Sequence, residues 1–364
     1  MSKYLKRVVN TIFLMLGNEC NFNCKYCLQH PLVTNPLTKK INPDIYEFIK
    51  ELSIDSPNIR INFYGGEPML YFKIIKEIIE NTKDFATFSM ITNGSLITED
   101  HVKFFNEHEI PITVSWDGYN VLNTRGQDVL AKNSIQKKIL FGIKYFGITA
   151  VSSALNYPKE ILQAFQDLDT EYYNQNGYHL QINVDQLIDS GCMPEELLKF
   201  DFDRIESEMF ELANEYIILK DSKNIPENKY VILAYFDRLL GNLYAYLNHP
   251  NPGYNRWHAP CGNGYSVLNM DLDGNLYDCH NKSKPIGDIY MNYFKYLNEV
   301  MRTDTAPKRY DRCKDCLVLP FCNSGCKLVS DEKLDNYYCR LKEAFFLPFL
   351  SVIQNYGIKI SEKE

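Results

Sequence analysis

The first apolar run, Val8-Val9-Asn10-Thr11-Ile12-Phe13-Leu14-Met15-Leu16, has the length and composition of a buried strand over 8–16. Ile45, Phe48, Ile49 and Leu52 then recur at i, i+3, i+4 and i+7, the spacing of a helix with one apolar face. From there strand and helix patterns alternate. Strands are predicted at 59–64, 87–92, 111–116, 147–154 and 178–184, and helices at 71–82, 98–107, 128–145 and 158–169. Thr98 is the expected N-cap of the 98–107 helix, with Glu99 and Asp100 in its first turn. Six strands alternating with helices imply an α/β fold with a parallel sheet and right-handed crossovers, most economically a partial (β/α)6 TIM barrel. In such folds the loops after the strands carry the chemistry.

After Gln186 the pattern changes. Two long helical stretches, 194–219 and 227–248, flank Asp221-Ser222-Lys223-Asn224-Ile225-Pro226 and read as a bridge. From about residue 250 the chain is rich in Pro, Gly, Asn and Cys, a segment organised by ligands more than by periodicity. A last helix at about 340–355 carries Phe345, Phe346, Phe349 and Leu350. The expected division is 1–186 for the barrel, 187–250 for the bridge and 251–364 for the Cys-rich domain with its terminal helix. There is no internal repeat.

Composition narrows the setting. The chain has 364 residues, 45% hydrophobic and 23% charged, and its apolar runs, such as Ile12–Leu16, are far too short to span a bilayer. Met1-Ser2-Lys3-Tyr4-Leu5-Lys6-Arg7 is basic but leads into a strand without a small-residue cleavage site, so no signal peptide and no membrane partner are expected. The expected compartment is the cytoplasm, where 11 Cys stay reduced and serve metals better than disulfides. A net charge of −7 argues against a nucleic-acid surface.

Candidate chemistry begins at the end of the first strand. Cys20, Cys24 and Cys27 are spaced CxxxCxxC, one ligand short of a tetrahedral zinc site. A cubic iron–sulfur cluster meets that pattern, because three thiolates leave one iron open to an external ligand. Tyr64-Gly65-Gly66-Glu67-Pro68 ends the second strand, where paired glycines permit close backbone approach and Glu67 suits an ammonium group. Thr92-Asn93-Gly94 and Ser115-Trp116-Asp117-Gly118 end the third and fourth strands, and each on its own reads equally as an Asx or glycine turn.

In this order the four motifs resemble the radical S-adenosylmethionine (SAM) superfamily over roughly residues 8–186. The resemblance implies that Cys20, Cys24 and Cys27 hold a [4Fe-4S] cluster whose open iron takes the methionine amine and carboxylate of SAM. It implies that Gly65, Gly66 and Glu67 meet the amine and that Tyr26 lies beside the adenine. Asn93, Ser115, Arg125 and Asn183 follow as further SAM contacts, with Arg125 reaching the carboxylate and Asn183 the ribose or adenine. For Asn183 a plain strand-end cap is an equal alternative.

The carboxyl-terminal cysteines run Cys261-x12-Gly274-x4-Cys279, then Cys313-x2-Cys316-x5-Cys322-x3-Cys326, then Cys339. They resemble the SPASM domain, which binds two auxiliary clusters, with two zinc ions as the alternative. The resemblance assigns Cys261, Cys279 and Cys326 to the first auxiliary cluster and Cys313, Cys316, Cys322 and Cys339 to the second. Three [4Fe-4S] clusters mean about 12 iron per monomer at about four each. Sulfatase maturases, a branch of this group, usually supply a further Cys just before the position of Cys261, where this chain has Asn255-Arg256-Trp257-His258. Either one iron is open to substrate, or His258 or another side chain fills it. Where those enzymes carry a proton-accepting Asp after the equivalent of Cys279, this chain has His280. His280, Asp278 and His30 are the candidate catalytic proton acceptors. Cys192 fits neither cluster set and reads first as a free thiol in a loop.

The resemblance implies an enzyme that cleaves SAM to a 5'-deoxyadenosyl radical and takes a hydrogen from a peptide or protein residue, giving a crosslink, an oxidation or an epimerisation. The alternatives are a radical SAM dehydrogenase or transferase acting on a small molecule such as an amino acid or sugar, and a redox protein whose clusters only carry electrons. Flavodoxin or ferredoxin is the expected electron donor, in an anaerobic setting. Because the first strand begins by about residue 8, leader recognition is expected from the bridge helices or a separate leader-binding protein, or is absent.

Overall fold

The computed structural model of the protein describes residues 9–29, 40–191, 193–222, 224–248, 264 and 266–356. In chain order its elements are β1 (Thr11–Met15), α1 (Asp44–Asp55), β2 (Ile59–Tyr64), α2 (Phe72–Thr82), β3 (Ala86–Thr92), α3 (Glu99–Glu107), β4 (Ile112–Ser115), α4 (Val121–Thr124), α5 (Ile135–Leu140), β5 (Phe146–Ser152), α6 (Pro158–Asn176) and β6 (Gln181–Gln186). There follow α7 (Phe202–Asp221), α8 (Tyr230–Leu247), β7 (Val267–Asp271), β8 (Asn275–Tyr277), β9 (Gly287–Asp288) and α9 (Tyr293–Thr303). Three short helices, α10 (Tyr310–Cys313), α11 (Leu319–Cys322) and α12 (Asp331–Lys333), precede the terminal α13 (Cys339–Asn355). The expected α/β alternation of the partial (β/α)6 barrel is present. No helix among the described residues is long and apolar enough to cross a membrane.

Residues group into two compact units that interleave along the chain. The first comprises 1–115, 126–147 and 260–304. Its strands lie in the order β4-β3-β2-β1-β7-β8-β9. β1 to β4 are parallel, and β7 joins them parallel to β1, with Phe13 opposite Asn269 and Met15 opposite Asp271. This strand lies in the Cys-rich region, for which no strand is among those predicted. Side-chain period decides the faces. Ile12, Ile61, Phe88 and Leu268 pair across the sheet and are all buried. Phe13, Asn62, Ser89 and Asn269 pair on the other face, which is therefore largely polar.

Local signals acted mostly as expected. Thr98 caps α3, accepting the His101 N–H, while its own N–H donates to His101 Nδ1 at 3.1 Å. The helix expected over 128–145 is cut to Ile135–Leu140. Asn133 takes a left-handed conformation at φ 63°, and Ser134 restarts the helix as its N-cap, accepting the Lys137 N–H at 3.0 Å. Asn tolerates that backbone better than other side-chain-bearing residues, so the apolar periodicity was overridden by a turn. α6 runs past its expected end at 169 to Gly177, whose φ of 75° closes it.

The second unit comprises 116–125, 148–259 and 305–364. It holds most of β5, with β6 beside it, and packs α7 against α13. Tyr216, Phe236 and Phe349 form its aromatic centre, with Phe236 and Phe349 rings 5.3 Å apart. Entry to β6 is fixed by His179, stacked between Tyr173 and Tyr230 and joined through Nδ1 to buried Asp169 at 2.8 Å. Asp169 also accepts the Leu180 N–H at 2.7 Å.

Candidate functional site

The β1–β2 ladder continues beyond the strands. Leu16 N donates to Tyr64 O at 2.9 Å, Gly66 N to Gly17 O at 2.8 Å, and Glu67 N to Glu19 O at 2.8 Å. The segment leading into Cys20 is thus zipped to Gly65-Gly66-Glu67. A Cβ on Gly65 would lie 2.2 Å from Gly17 O, and one on Gly66 2.3 Å from Glu19 O. The close approach anticipated from these glycines is made on that side by the chain's own backbone.

Glu67 ties this pair of segments to the end of β3. Only 1% exposed, it accepts the Met69 N–H at 3.0 Å and the Thr92 hydroxyl at 2.6 Å on Oε1, and the Asn93 N–H at 2.8 Å on Oε2. Burial raises its pKa, and these three donors oppose the rise. Asn93 Nδ2 in turn donates to Asn21 Oδ1 at 2.8 Å, inside the CxxxC segment, and Asn21 Nδ2 donates to Ser95 at 2.9 Å. One network therefore joins the Cys loop, GGEP and TNG. Asn21 and Thr92 are members that sequence reasoning left out, although both stand inside quoted motifs.

Within the loop, Cys20 is exposed, Cys24 and Cys27 are half-buried, and Tyr26 is buried. Cys20 Sγ accepts the Phe22 N–H at 3.4 Å. Partial burial still raises the Cys20 pKa, with the charges of Glu67 and Cys27 adding to the rise. Ser115 closes β4.

Two predicted SAM contacts lie in the second unit. Arg125 is buried with its Nε 3.2 Å from Oδ2 of fully buried Asp117. Asp117 also receives the Thr124 hydroxyl at 2.7 Å and the Val151 N–H at 3.1 Å, so the SxDG aspartate anchors Arg125 and β5 together. Asn183 Nδ2 donates to Thr149 Oγ1 at 3.2 Å and to Asp185 Oδ2 at 2.8 Å.

Of the candidate proton acceptors, His30 lies outside the described residues. Asp278 is buried and its Oδ2 takes the Lys282 ammonium at 2.8 Å, an ion pair suited to structure. His280 belongs to a larger assembly on the polar face of the sheet. Its ring stacks on Phe13 at 4.9 Å and meets Tyr64 edge-on at 4.4 Å. Nδ1 lies 3.3 Å from Asn269 Oδ1, while Asn269 Nδ2 donates to Tyr277 O at 3.3 Å. That second bond orients the amide, so Nδ1 carries the proton and Nε2 presents a lone pair. Burial pushes the His280 pKa down to about 4, which keeps the ring neutral near pH 7. Gln29, two residues beyond the last cysteine of the triplet, donates to His280 O at 3.0 Å and also to Asn281 Oδ1. Nothing in the one-dimensional pattern marked Gln29, Asn269 or Asn281.

Cys261, His258 and Cys192 lie outside the described residues. Cys279 in the first unit and Cys326 in the second are each held locally, accepting the N–H of Asn281 and of Leu328, both at 3.4 Å. This is the arrangement seen at Cys20, a donor two residues on, and N–H donors to sulfur tune iron–sulfur centres. Buried Arg309 shapes the Cys326 turn, donating to Ser324 O at 3.2 Å, Cys326 O at 3.1 Å and Val329 O at 2.6 Å. Cys313, Cys316, Cys322 and Cys339 line a single cavity whose remaining wall combines Val318, Leu319 and Leu334 with Arg312, Ser324, Lys342 and Glu343. Burial pushes the Cys322 thiol up to about 11 and raises Cys316 and Cys339. Four soft sulfur donors around one cavity fit iron–sulfur ligation, which removes the thiol protons that burial otherwise favours.

Residues 14–145 match the Radical SAM superfamily. A cysteine-type anaerobic sulfatase-maturating enzyme of Clostridium novyi (strain NT) is 24% identical over 367 residues, covering 91% of this chain and 92% of the relative. The solved structure of native anSMEcpe with bound AdoMet and Cp18Cys peptide has a TM-score of 0.65 at 19% identity, over 96% of this chain and 99% of that one. SuiB of Streptococcus suis bound to precursor peptide SuiA has a TM-score of 0.60 at 15% identity, over 88% and 72%. The structures share the fold, and the sulfur-only donor sets agree with the cofactors of the superfamily, SAM and iron–sulfur. Residues 14–145 of this chain thus carry a Radical SAM domain.

Proposed function

We propose that this enzyme removes a hydrogen atom from a residue of a peptide or protein, in the manner of a maturase. The observation that carries the reading is the Glu67-centred network joining the Cys loop to the ends of β2 and β3, the place such chemistry requires. Peptide as the substrate class is supported by the relatives, since the alignment to the sulfatase-maturating enzyme includes the Cys-rich region.

When bound, the first cluster and SAM supply the 5'-deoxyadenosyl radical. Cys20, Cys24 and Cys27 are its ligands in this reading. Oε1 of Glu67 is filled by two donors and Oε2 by one, which leaves Oε2 an acceptor position suited to the methionine ammonium. Gly65, Gly66, Tyr26, Asn93, Ser115, Arg125 and Asn183 complete the SAM contacts, with Asp117 orienting Arg125. Cys313, Cys316, Cys322 and Cys339 hold one auxiliary cluster, and Cys261, Cys279 and Cys326 the other. His280 accepts the substrate proton at Nε2, its tautomer set by Asn269. Flavodoxin or ferredoxin delivers the electron, in the cytoplasm. A separate leader-binding protein is a further partner of this reading.

The test is anaerobic incubation of reconstituted enzyme with SAM, reductant and a panel of peptides carrying deuterated Cys or Ser. We expect 5'-deoxyadenosine, deuterium transfer into it from one peptide, and a matching mass change in that peptide. Absence of 5'-deoxyadenosine, or equal amounts from Cys24→Ala, overturns the radical reading. Deuterium transfer from amino acids or sugars but from no peptide overturns the maturase reading.

A further inference from the structure

The wall of the four-cysteine cavity contains a cation that the cluster reading does not use. Lys342 lines the cavity with Cys313, Cys316, Cys322 and Cys339, and it stands one turn beyond Cys339 on α13. It is only 8% exposed. Its ammonium donates to Gln186 Oε1 at 2.5 Å, at the carboxyl end of β6, and faces the rings of Tyr338 at 5.1 Å and Phe346 at 5.9 Å. Among the described residues it forms no ion pair with a carboxylate within 4 Å. Burial lowers its pKa, and the negative charges of Cys322, Asp185 and Cys326 are near enough to oppose that shift. A buried ammonium with a neutral amide as its hydrogen-bond partner is costly unless negative charge lies close by. Asp185 provides part of that charge; four thiolates around iron add to it, and theirs grows when the cluster gains an electron.

We propose that Lys342 is a positioning residue for the second auxiliary cluster, its ammonium compensating the charge of the thiolate-bound centre and raising its reduction potential. The proposal rests on the reading that these four cysteines hold a cluster. Through Gln186 the same ammonium also anchors the end of β6 to the cavity wall, so loss of the charge acts on the cluster and loss of the side chain's bulk on the packing. A methionine replacement separates the two, since it keeps much of the length and apolar stem.

The test compares reconstituted full-length wild type, Lys342→Met, Lys342→Arg and Cys322→Ala, by iron and sulfide content and by an EPR-monitored redox titration without SAM. The relevant signal is the one missing from Cys322→Ala. We expect Lys342→Met to keep its iron and to need a potential at least 59 mV more negative, a tenfold change in reduced fraction for a one-electron couple, with Lys342→Arg close to wild type. Loss of about four iron from Lys342→Met but not from Lys342→Arg supports the charge role equally. An unchanged potential in an iron-replete Lys342→Met overturns the proposal, and so does loss of the cluster from both Lys342 variants, which assigns the residue to packing. Equal iron in wild type and Cys322→Ala overturns the cluster reading itself, and is told apart by requiring no Lys342 variant.

Discussion

The Glu67 carboxylate accepts the backbone N–H of Asn93 at 2.8 Å, across the gap between the ends of β2 and β3. Replacing Glu67 by Gln puts an NH2 group either against the Asn93 N–H or against both the Met69 N–H and the Thr92 hydroxyl. A buried donor left unsatisfied costs about 1–3 kcal/mol. We expect Glu67→Gln to lower the thermal midpoint measurably and to cut 5'-deoxyadenosine formation at least about tenfold, as loss of about 1.4 kcal/mol of transition-state stabilisation requires. Wild-type rates in an iron-replete variant would contradict this role.

Gly66→Ala tests the zipper between the Cys loop and GGEP. The new Cβ would meet Glu19 O at 2.3 Å and Asn18 O at 2.6 Å, both backbone atoms, so the Cys20 segment has to move. Iron bound at Cys20, Cys24 and Cys27 should fall, seen as a loss of about four iron per monomer. Gly241→Ala is the matched control: it lies within α8 with nothing inside 4 Å of the added Cβ, and should stabilise by about 0.5–1 kcal/mol.

His280→Phe retains an aromatic ring on Phe13 but removes the Nε2 lone pair and the contact with Asn269. If His280 accepts the substrate proton, SAM cleavage continues while peptide product falls by about 10²–10⁴-fold. A parallel loss of 5'-deoxyadenosine and product would place His280 in the scaffold instead.

Asp169 supplies a pH dependence away from the cysteines. Burial raises its pKa above the ordinary carboxylate value. A raised folded pKa means that the native state binds the proton more tightly than the unfolded chain, so this contribution to stability is present at low pH and is lost as pH rises through the folded value. The thermal midpoint of wild type minus that of Asp169→Asn should therefore decline on raising the pH from about 4, the ordinary carboxylate value. A difference that rises over that interval would contradict the sign.

How much was legible in the sequence depends on the range of the interaction. The strand–helix alternation, the Thr98 cap, the cysteine triplet and the strand-end motifs are local, because hydrophobic period and turn chemistry act over a few residues. The same locality explains the overlong helix over 128–145, where a left-handed Asn133 outweighed periodicity. What only the tertiary structure decided is long-range. β7 pairs with β1 across some 250 residues of chain and so sets Asn269 and His280 over Phe13. Gln29 reaches Asn281 by the same pairing, Arg125 meets Asp117 rather than open solvent, and Lys342 joins the end of β6 to four cysteines. The sequence by itself determined the candidate ligands and the chemistry they favour. Burial, which shifts the pKa of His280 and strips Lys342 of solvent, arises only when distant segments pack, and that is why the partners of these residues had to be read from the folded chain.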